Sequence, residues 1–548
     1  MTNADGSDVL LTARGGPLHI SPEQMGMCAL FASGRFVVLV VKKDHNLVRQ
    51  TKVQARLHGI AVQTELVDDD SAISKIYAGA MPALTESSAR DIGFDEQRWI
   101  IETINRAHSL GATDGHLDLW DGRPNMTVKY RVDKRVTDIV DVLHAASATH
   151  VFNALWTMAD NNRGQWQPGK SQMARLLNTP DMRTKGLNSE IVSCRLTFSG
   201  FNDGNTLAIR IFTRSLWSDG GCRIEALGFN DHQAIQLEAV RAQPHGVFLI
   251  VGETGSGKST TMKAVLELID EEAAGAKRIV TVEDPVEFPI RNAIQKSVTY
   301  EAGTEDRNQA LMTEIIIALR MDPDILMVHE IRDAATASIS WQGAQSGHWL
   351  GSTLHANGVF EAFTRLDDPA VMGLPQSMIY NHGIIRGIVA QRLMPKLCPH
   401  CRVALAERPQ GRSEMMNRRY DGMAKRIERM VESFDGIYVR NPEGCPHCRR
   451  NAGKTILAGV RGVVLAAEIL IPDEQFMRSL RAGAGDQRAA RDYLNRQISE
   501  GEDAMGLPPA RPIMHHAWSK VIGGLIDPLD AEWAVGRFTR EGAIDGRW

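Results

Sequence analysis

No apolar run in the sequence approaches the roughly 20 residues that a membrane-crossing helix needs. The longest, "FVVLVV" from Phe36 to Val41, is of strand length and ends on two lysines. The opening stretch "MTNADGSDVLLTARGG" has neither a basic start nor an apolar segment, so no export signal is expected. Charge of one sign is not in excess. A formal net charge of −4 over 548 residues gives no reason to expect a dedicated nucleic-acid binder. Aromatic residues are scarce at 6%, yet 43% hydrophobic content suffices for ordinary cores, and the length predicts about three to four domains. Internal repeats and low-complexity tracts are absent. Cysteine is sparse and odd in number: Cys28, Cys194 and Cys222 are scattered, and the other four of the seven form two C-x-x-C pairs. That pattern argues against a disulfide framework and for reduced thiols plus a metal site.

What is present changes character along the chain. Residues 1–90 mix short apolar and polar runs and read as a small α/β module of uncertain fold. A helical segment, "DEQRWIIETINRAHSLGA", leads into "GHLDLWDGRPNMTVKYRVD", whose period-2 alternation and "DGRPN" turn predict a hairpin. A helical stretch over "VTDIVDVLHAASATHVFNALW" and two strands, "SEIVSCRLTFSG" and "TLAIRIFT", complete an α+β module over 91–215. Residues 216–230, beginning in "SLWSDGG", read as a linker. Over 231–397, apolar strands ("GVFLIVG", "RIVTVED", "PDILMVHEI", "WLGSTLH") alternate with helical stretches, which predicts a parallel sheet with crossover helices. Residues 398–470 hold the paired cysteines, and 471–548 are helical by periodicity, broken at "GLPPARP".

Gly252-Glu-Thr-Gly-Ser-Gly-Lys-Ser259 fits G-x-x-x-x-G-K-[ST], with a strand before it and a helix after it. Gly252, Gly255 and Gly257 let the backbone curl so that amide N–H groups, with those of Thr254 and Ser256, converge on phosphate oxygens. The helix start adds partial positive charge. Lys258 is expected to reach the β- and γ-phosphates, Ser259 to ligate Mg²⁺, and Thr260 to support the loop or the α-phosphate. Hydrolysis of ATP further requires a metal-organising carboxylate and a group that orients water. "RIVTVEDPVEF" offers Glu283, Asp284 and Glu287 after one strand, and "DPDILMVHEIRD" offers Glu330 at the end of another. Strand C-termini line the ligand crevice of open parallel sheets. Helix capping at strand–helix turns is the alternative role for the same acids. "SGHWLGSTLHAN" supplies His348 and His355, either as γ-phosphate sensors or as ordinary packed histidines.

In order and spacing, "GETGSGKST", "TVEDPVEF", "ALRMDPDILMVHEIRD" and "GHWLGSTLHAN" resemble the secretion and type IV pilus motor family of the PulE, GspE, PilB and PilT type, over about Thr113 to Trp533. "GIVAQRLMPKLCPHC" and "GCPHC" resemble its assembly branch, and some features resemble plasmid-encoded thin-pilus motors. The resemblance implies a homohexamer of subunits in which a PAS-like α+β module is joined flexibly to a RecA-like P-loop motor module. It puts Arg195 and Arg210 on the family's phosphate-reaching arginines; as bare sequence they are also acceptable surface strand residues. It further implies ATP hydrolysis in the cytoplasm, peripheral to the inner membrane, driving pilus or pseudopilus assembly through an inner-membrane platform protein, with no direct nucleic-acid contact expected. Three positions depart from the family: His329 stands where Gly precedes the glutamate, Gly115 where an apolar residue is usual, and Val463 where Arg is usual. His329 keeps a second reading open, a low-turnover nucleotide-gated scaffold of the pilus base. A conjugative DNA-transfer ATPase is a third.

Cys398-Pro-His-Cys401 and Cys445-Pro-His-Cys448 are near-identical knuckles of the kind that builds a Cys₄ zinc site. Free thiols or a redox pair are the alternatives. The 43 residues between the pairs leave room for an inserted helix. A site with four protein ligands has no open position, so zinc there is expected to be structural.

Overall fold

The computed structural model describes residues 27–33, 35–43, 46–57, 60–68, 73, 76, 95–159, 165–213, 224–298, 307–408, 413–452, 455–482 and 487–548. The N-terminal stretch read for an export signal, the "SLWSDGG" linker and Cys222 lie outside the described residues. The chain divides into two compact units, 1–95 and 96–548.

The first unit contains a three-stranded sheet of Cys28–Leu30, Arg35–Leu39 and Gln63–Val67. The first pair is antiparallel and the second parallel. Helix Asn46–Leu57 lies in the crossover that a parallel pair requires. Phe36, Val38, Val48 and Ala55 are among its buried core.

The second unit is built on two seven-stranded sheets. One is antiparallel throughout, with neighbours running Arg135–Val136, Asn125–Val132, Ala112–Trp120, Gly204–Thr213, Ile191–Phe201, Gln172–Leu177, and Asp141–His144 paired to Asn125–Val132. Asn125–Val132 alternates half-buried and buried residues without a break, as a sheet with one covered face demands. Helices Glu96–Ser109 and Ala145–Met158 supply the cover through Ile100, Ile104, Val151, Phe152 and Leu155. The helix expected from Val136 onward begins only at Ala145. Asp141–His144 is a strand, and His144 caps the helix by accepting from Ala146 N–H.

The other sheet runs Ala293–Ser297, Ile279–Glu283, Ile325–Val328, Trp349–Leu354, Gly246–Val251, Ile385–Leu397, Val460–Leu470. All of its pairs are parallel except the last. Gly246–Val251, Ile279–Glu283, Ile325–Val328 and Trp349–Leu354 are buried at every residue, as strands covered by helices on both faces must be. The antiparallel edge strand corrects the sequence division: residues 460–470 complete this sheet and do not close a separate cysteine module. The C-terminal segment holds helices Glu474–Ala482, Arg488–Glu500, Ile513–Ile522 and Pro528–Val535. Glu414–Glu428 forms the helix inserted between the cysteine pairs, and its Met423 and Ile427 share a core with Trp518 and Val521.

Candidate functional site

Strand Gly246–Val251 ends on the loop 252–257, and helix Lys258–Glu272 starts directly from it. Gly252, Gly255 and Gly257 have φ of 154°, 71° and 89°, a region where side chains are strained. A Cβ on Gly252 would lie 2.5 Å from Ser256 Oγ. Gly257 is the helix N-cap and offers no side chain, so the first-turn N–H groups of Lys258, Ser259 and Thr260 are left uncapped by it. Three loop carbonyls, in contrast, are occupied: Lys258 Nζ donates to Gly252 O (2.8 Å) and Glu253 O (3.1 Å), and Gln391 Nε2 donates to Ser256 O (2.8 Å). Acceptors held aside with donors left open is the donor set a phosphate fits.

Lys258, Glu330 and His355 come together where three neighbouring strands end. Lys258 Nζ is 3.5 Å from His355 Nδ1, and His355 Nε2 is 2.9 Å from Glu330 Oε1. Burial pushes Lys258 down to about 8, against the opposing charges of Glu330 and Glu287. Burial, then the Lys258 charge, also lowers His355, with Glu330 opposing. That shift favours the neutral ring, whose Nδ1 faces the Lys258 amine. Burial works to raise Glu330, but the Arg332 hydrogen bond and charge, with His355 and Lys258, leave it below the usual carboxylate value. Arg332 Nε donates to Glu330 Oε2 at 2.7 Å. His329, just before it, is half-buried; its backbone is fixed by Val282 and Thr353, and its Nδ1 is buried without a hydrogen-bond partner among the described residues.

The other predicted residues separate into two groups. Arg195 NH1 reaches across from the antiparallel sheet to within 3.6 Å of Glu287 Oε1. Arg210 Nε is 2.9 Å from Asp114 Oδ1 on the adjacent strand. The registers line up Arg175, Arg195, Arg210, Asp114 and Arg131 across five strands. Like charges directly opposite destabilise a sheet, so this row is not explained by folding. Asp284 binds Arg307 Nε at 2.5 Å. Glu283, however, is turned into the sheet: it is buried and its Oε1 accepts from Thr281 Oγ1 (2.7 Å) and Gln295 Nε2 (2.8 Å). Glu287 is the acid of that segment whose charge acts on Lys258. His348 does not join the cleft either. It precedes strand Trp349–Leu354, whose far end leads to His355, and its Nδ1 lies 2.9 Å from Gly343 O at the end of the preceding helix.

The four paired cysteines converge. Cys398 Sγ and Cys445 Sγ are 3.8 Å apart, Cys401 and Cys448 3.6 Å, Cys445 and Cys448 3.9 Å. All four sulfurs lie within 4.8 Å of one another. A tetrahedron with ~2.3 Å metal–sulfur bonds has edges of about 3.8 Å, so the cluster fits a metal ion. Burial opposes ionisation of Cys448, but N–H groups of Cys445 and Gly459 aimed at its sulfur, together with the thiols of Cys401 and Cys398, outweigh it and bring the thiol to about 7.

A family model described as "Type II/IV secretion system protein" matches residues 95–505. The chain belongs to this family. It is 32% identical over 327 residues to the Type II secretion system protein HxcR of Pseudomonas aeruginosa, covering 59% of this chain and 63% of that one. It is 30% identical over 394 residues to the Type IV pilus assembly ATPase TfpB of Acinetobacter baylyi, covering 71% and 60%. The chain thus spans less than two thirds of the length of these relatives. The X-ray structure of the Yersinia pseudotuberculosis ATPase DotB has the same fold at 16% identity, with a TM-score of 0.50 over 81% of this chain and 95% of that one.

In this secretion-system family member several site residues escape sequence reasoning. Arg392, only 9% exposed at its side chain, is 3.2 Å from Glu253 Oε1 and donates to Asn357 O and Oδ1. Gln391 supports the loop from the same strand. "AQRL" gives no local sign of either role, because both depend on that strand lying beside Gly246–Val251. Arg332 was visible within "HEIRD" as an arginine two residues from Glu330, a spacing that returns it to the same side of an extended chain.

Proposed function

We propose that the chain is a hexameric motor ATPase that hydrolyses ATP to drive type IV pilus, or pseudopilus, assembly through an inner-membrane platform protein. The observation that carries this reading is the convergence of Lys258, His355 and Glu330 at one strand edge, with Arg195 of the other sheet directed at Glu287 beside it. In this reading residues 91–215 form a PAS-like module and 231–397, with 460–470, a RecA-like one. Lys258 and the loop amides grip the triphosphate, and Arg195 and Arg210 respond to its charge from the opposing module. Glu330 Oε1, buried without a hydrogen-bond partner among the described residues, is the position that accepts a proton from attacking water, and Arg332 at Oε2 keeps that carboxylate oriented. Mg²⁺, held by the Ser259 hydroxyl, would supply charge neutralisation on the phosphates. Asp284 keeps a supporting place through Arg307; Glu283 shapes the sheet end, and His348 has no part. The names of the relatives, a type II secretion protein and a pilus assembly ATPase, support the setting. Among the described residues no helix is long and apolar enough to cross a membrane.

Size-exclusion light scattering with a non-hydrolysable ATP analogue, run beside an ATPase assay, tests the reading. A hexameric mass with the analogue and Mg²⁺-dependent turnover are expected; a monomer in every condition without turnover would remove it. We assign zinc to Cys398, Cys401, Cys445 and Cys448, and metal analysis is expected to give about one zinc per chain, lost in Cys448→Ser together with a lower unfolding midpoint. A stable, metal-free parent protein would return the cluster to free thiols. One observation favours a second reading, the nucleotide-gated scaffold: Arg332 already occupies Glu330, next to the intrusive His329.

A further inference from the structure

Strands Asn125–Val132 and Arg135–Val136 are joined by the two-residue turn Asp133-Lys134. Both residues have positive φ, 46° and 69°. Such a turn suits Asn-Gly or Asp-Gly, because its second position is left-handed and a Cβ there is strained. A lysine in that position needs a compensating contact. Asp133 is anchored on one side: its carboxylate takes the Arg450 guanidinium and accepts Gly462 N–H at 3.1 Å. Lys134 reaches the other way, and its Nζ donates to Gly255 O at 2.5 Å. The residue as a whole is exposed, but its amine is closed in enough that burial lowers its pKa, with Glu253 opposing.

Gly255 is the tip of the phosphate loop, and its carbonyl is served by neither Lys258 nor Gln391 but by Lys134. A carbonyl left free to swing inward would put negative charge where phosphate has to sit. Lys134 prevents that swing and adds a positive charge within the same approach.

We propose that Lys134 is a positioning residue for nucleotide binding, an amine lent by the antiparallel sheet to the phosphate loop of the same chain. This rests on the reading of residues 252–260 as a phosphate loop.

The test measures equilibrium binding of a non-hydrolysable ATP analogue with Mg²⁺, together with KM and kcat for ATP, in the full chain and in Lys134→Met, Lys134→Gly, Lys134→Arg and Lys258→Ala. Lys134→Met and Lys134→Gly are expected to weaken binding by about tenfold, the worth of one charge-assisted hydrogen bond, with KM rising by more than kcat falls. Lys134→Arg should recover most of the affinity. Lys134→Gly separates positioning from architecture, because glycine relieves the left-handed turn: its unfolding midpoint should equal or exceed that of Lys134→Met while its affinity stays low. Parent-like affinity in both Lys134→Met and Lys134→Gly, with binding lost in Lys258→Ala, would overturn the proposal and leave the phosphate loop standing. Parent-like affinity in Lys258→Ala as well would overturn the phosphate loop and the proposal together.

Discussion

Lys258→Ala is expected to weaken ATP binding by about a hundredfold and to reduce turnover at least as far, because it removes a charge-assisted contact to the triphosphate. The substitution also strips the donor from Gly252 O and Glu253 O, so the loop loses its internal brace along with its charge. The lysine sets a pH dependence that can be read in the parent protein. In the nucleotide-free state burial holds the amine at about 8, well below its ordinary 10.5. An anionic ligand favours the charged form, so above about pH 8 binding must take up a proton. Affinity should then fall by up to about tenfold per pH unit. Stability moves the other way. Between about 8 and 10.5 the unfolded chain binds more protons at this group than the folded one, so its contribution to stability rises with pH across that window. Isothermal titration in buffers of differing ionisation heat, from pH 7 to 9.5, reads the proton uptake directly. Flat affinity over that range, or tight binding by Lys258→Ala, would displace this lysine from the site.

The legible parts of this protein are those whose cause is local. The strand, glycine turn and helix around residues 246–272 follow from neighbours in sequence, and so does the run of fully buried parallel strands. The two C-x-x-C knuckles carry their geometry in their spacing, although 47 residues separate Cys398 from its neighbour Cys445. What was missed depends on parity or on distance. The sequence points to Glu283 as the catalytic acid of its segment, but Glu283 ends a strand two residues after Thr281, so the pleat turns both to one side and ties them together. His348 and His355 flank a single strand, so only one is on the edge that carries the phosphate loop. The contact between Lys134 and Gly255 spans 121 positions and two sheets. The edge strand Val460–Leu470 returns to the sheet only after the whole cysteine segment, which made residues 398–470 look like one module.

Glu330→Gln should separate turnover from binding. Glutamine keeps the shape of the side chain and one acceptor, so the packing against His355, whose Nε2 is 2.9 Å from Oε1, is retained. It loses the charge that activates water and that holds the Arg332 guanidinium at Oε2. Removal of a general base typically costs 10²–10⁴ in rate, so turnover is expected to fall by about a hundredfold or more. Nucleotide affinity should hold or rise, since one negative charge beside the triphosphate is gone. Steady-state turnover and analogue binding, measured on the same preparations, give both numbers. The comparison also decides between the two readings of the site. A motor has turnover to lose, so a parent already as slow as Glu330→Gln would mean that Arg332 and His329 hold the carboxylate out of use, and the chain would be a nucleotide-gated scaffold. Arg332→Ala extends the argument. If the clamp restrains Glu330, its loss should speed a slow parent; if Arg332 keeps the carboxylate ionised, its loss lets burial raise the Glu330 pKa and turnover then falls at low pH.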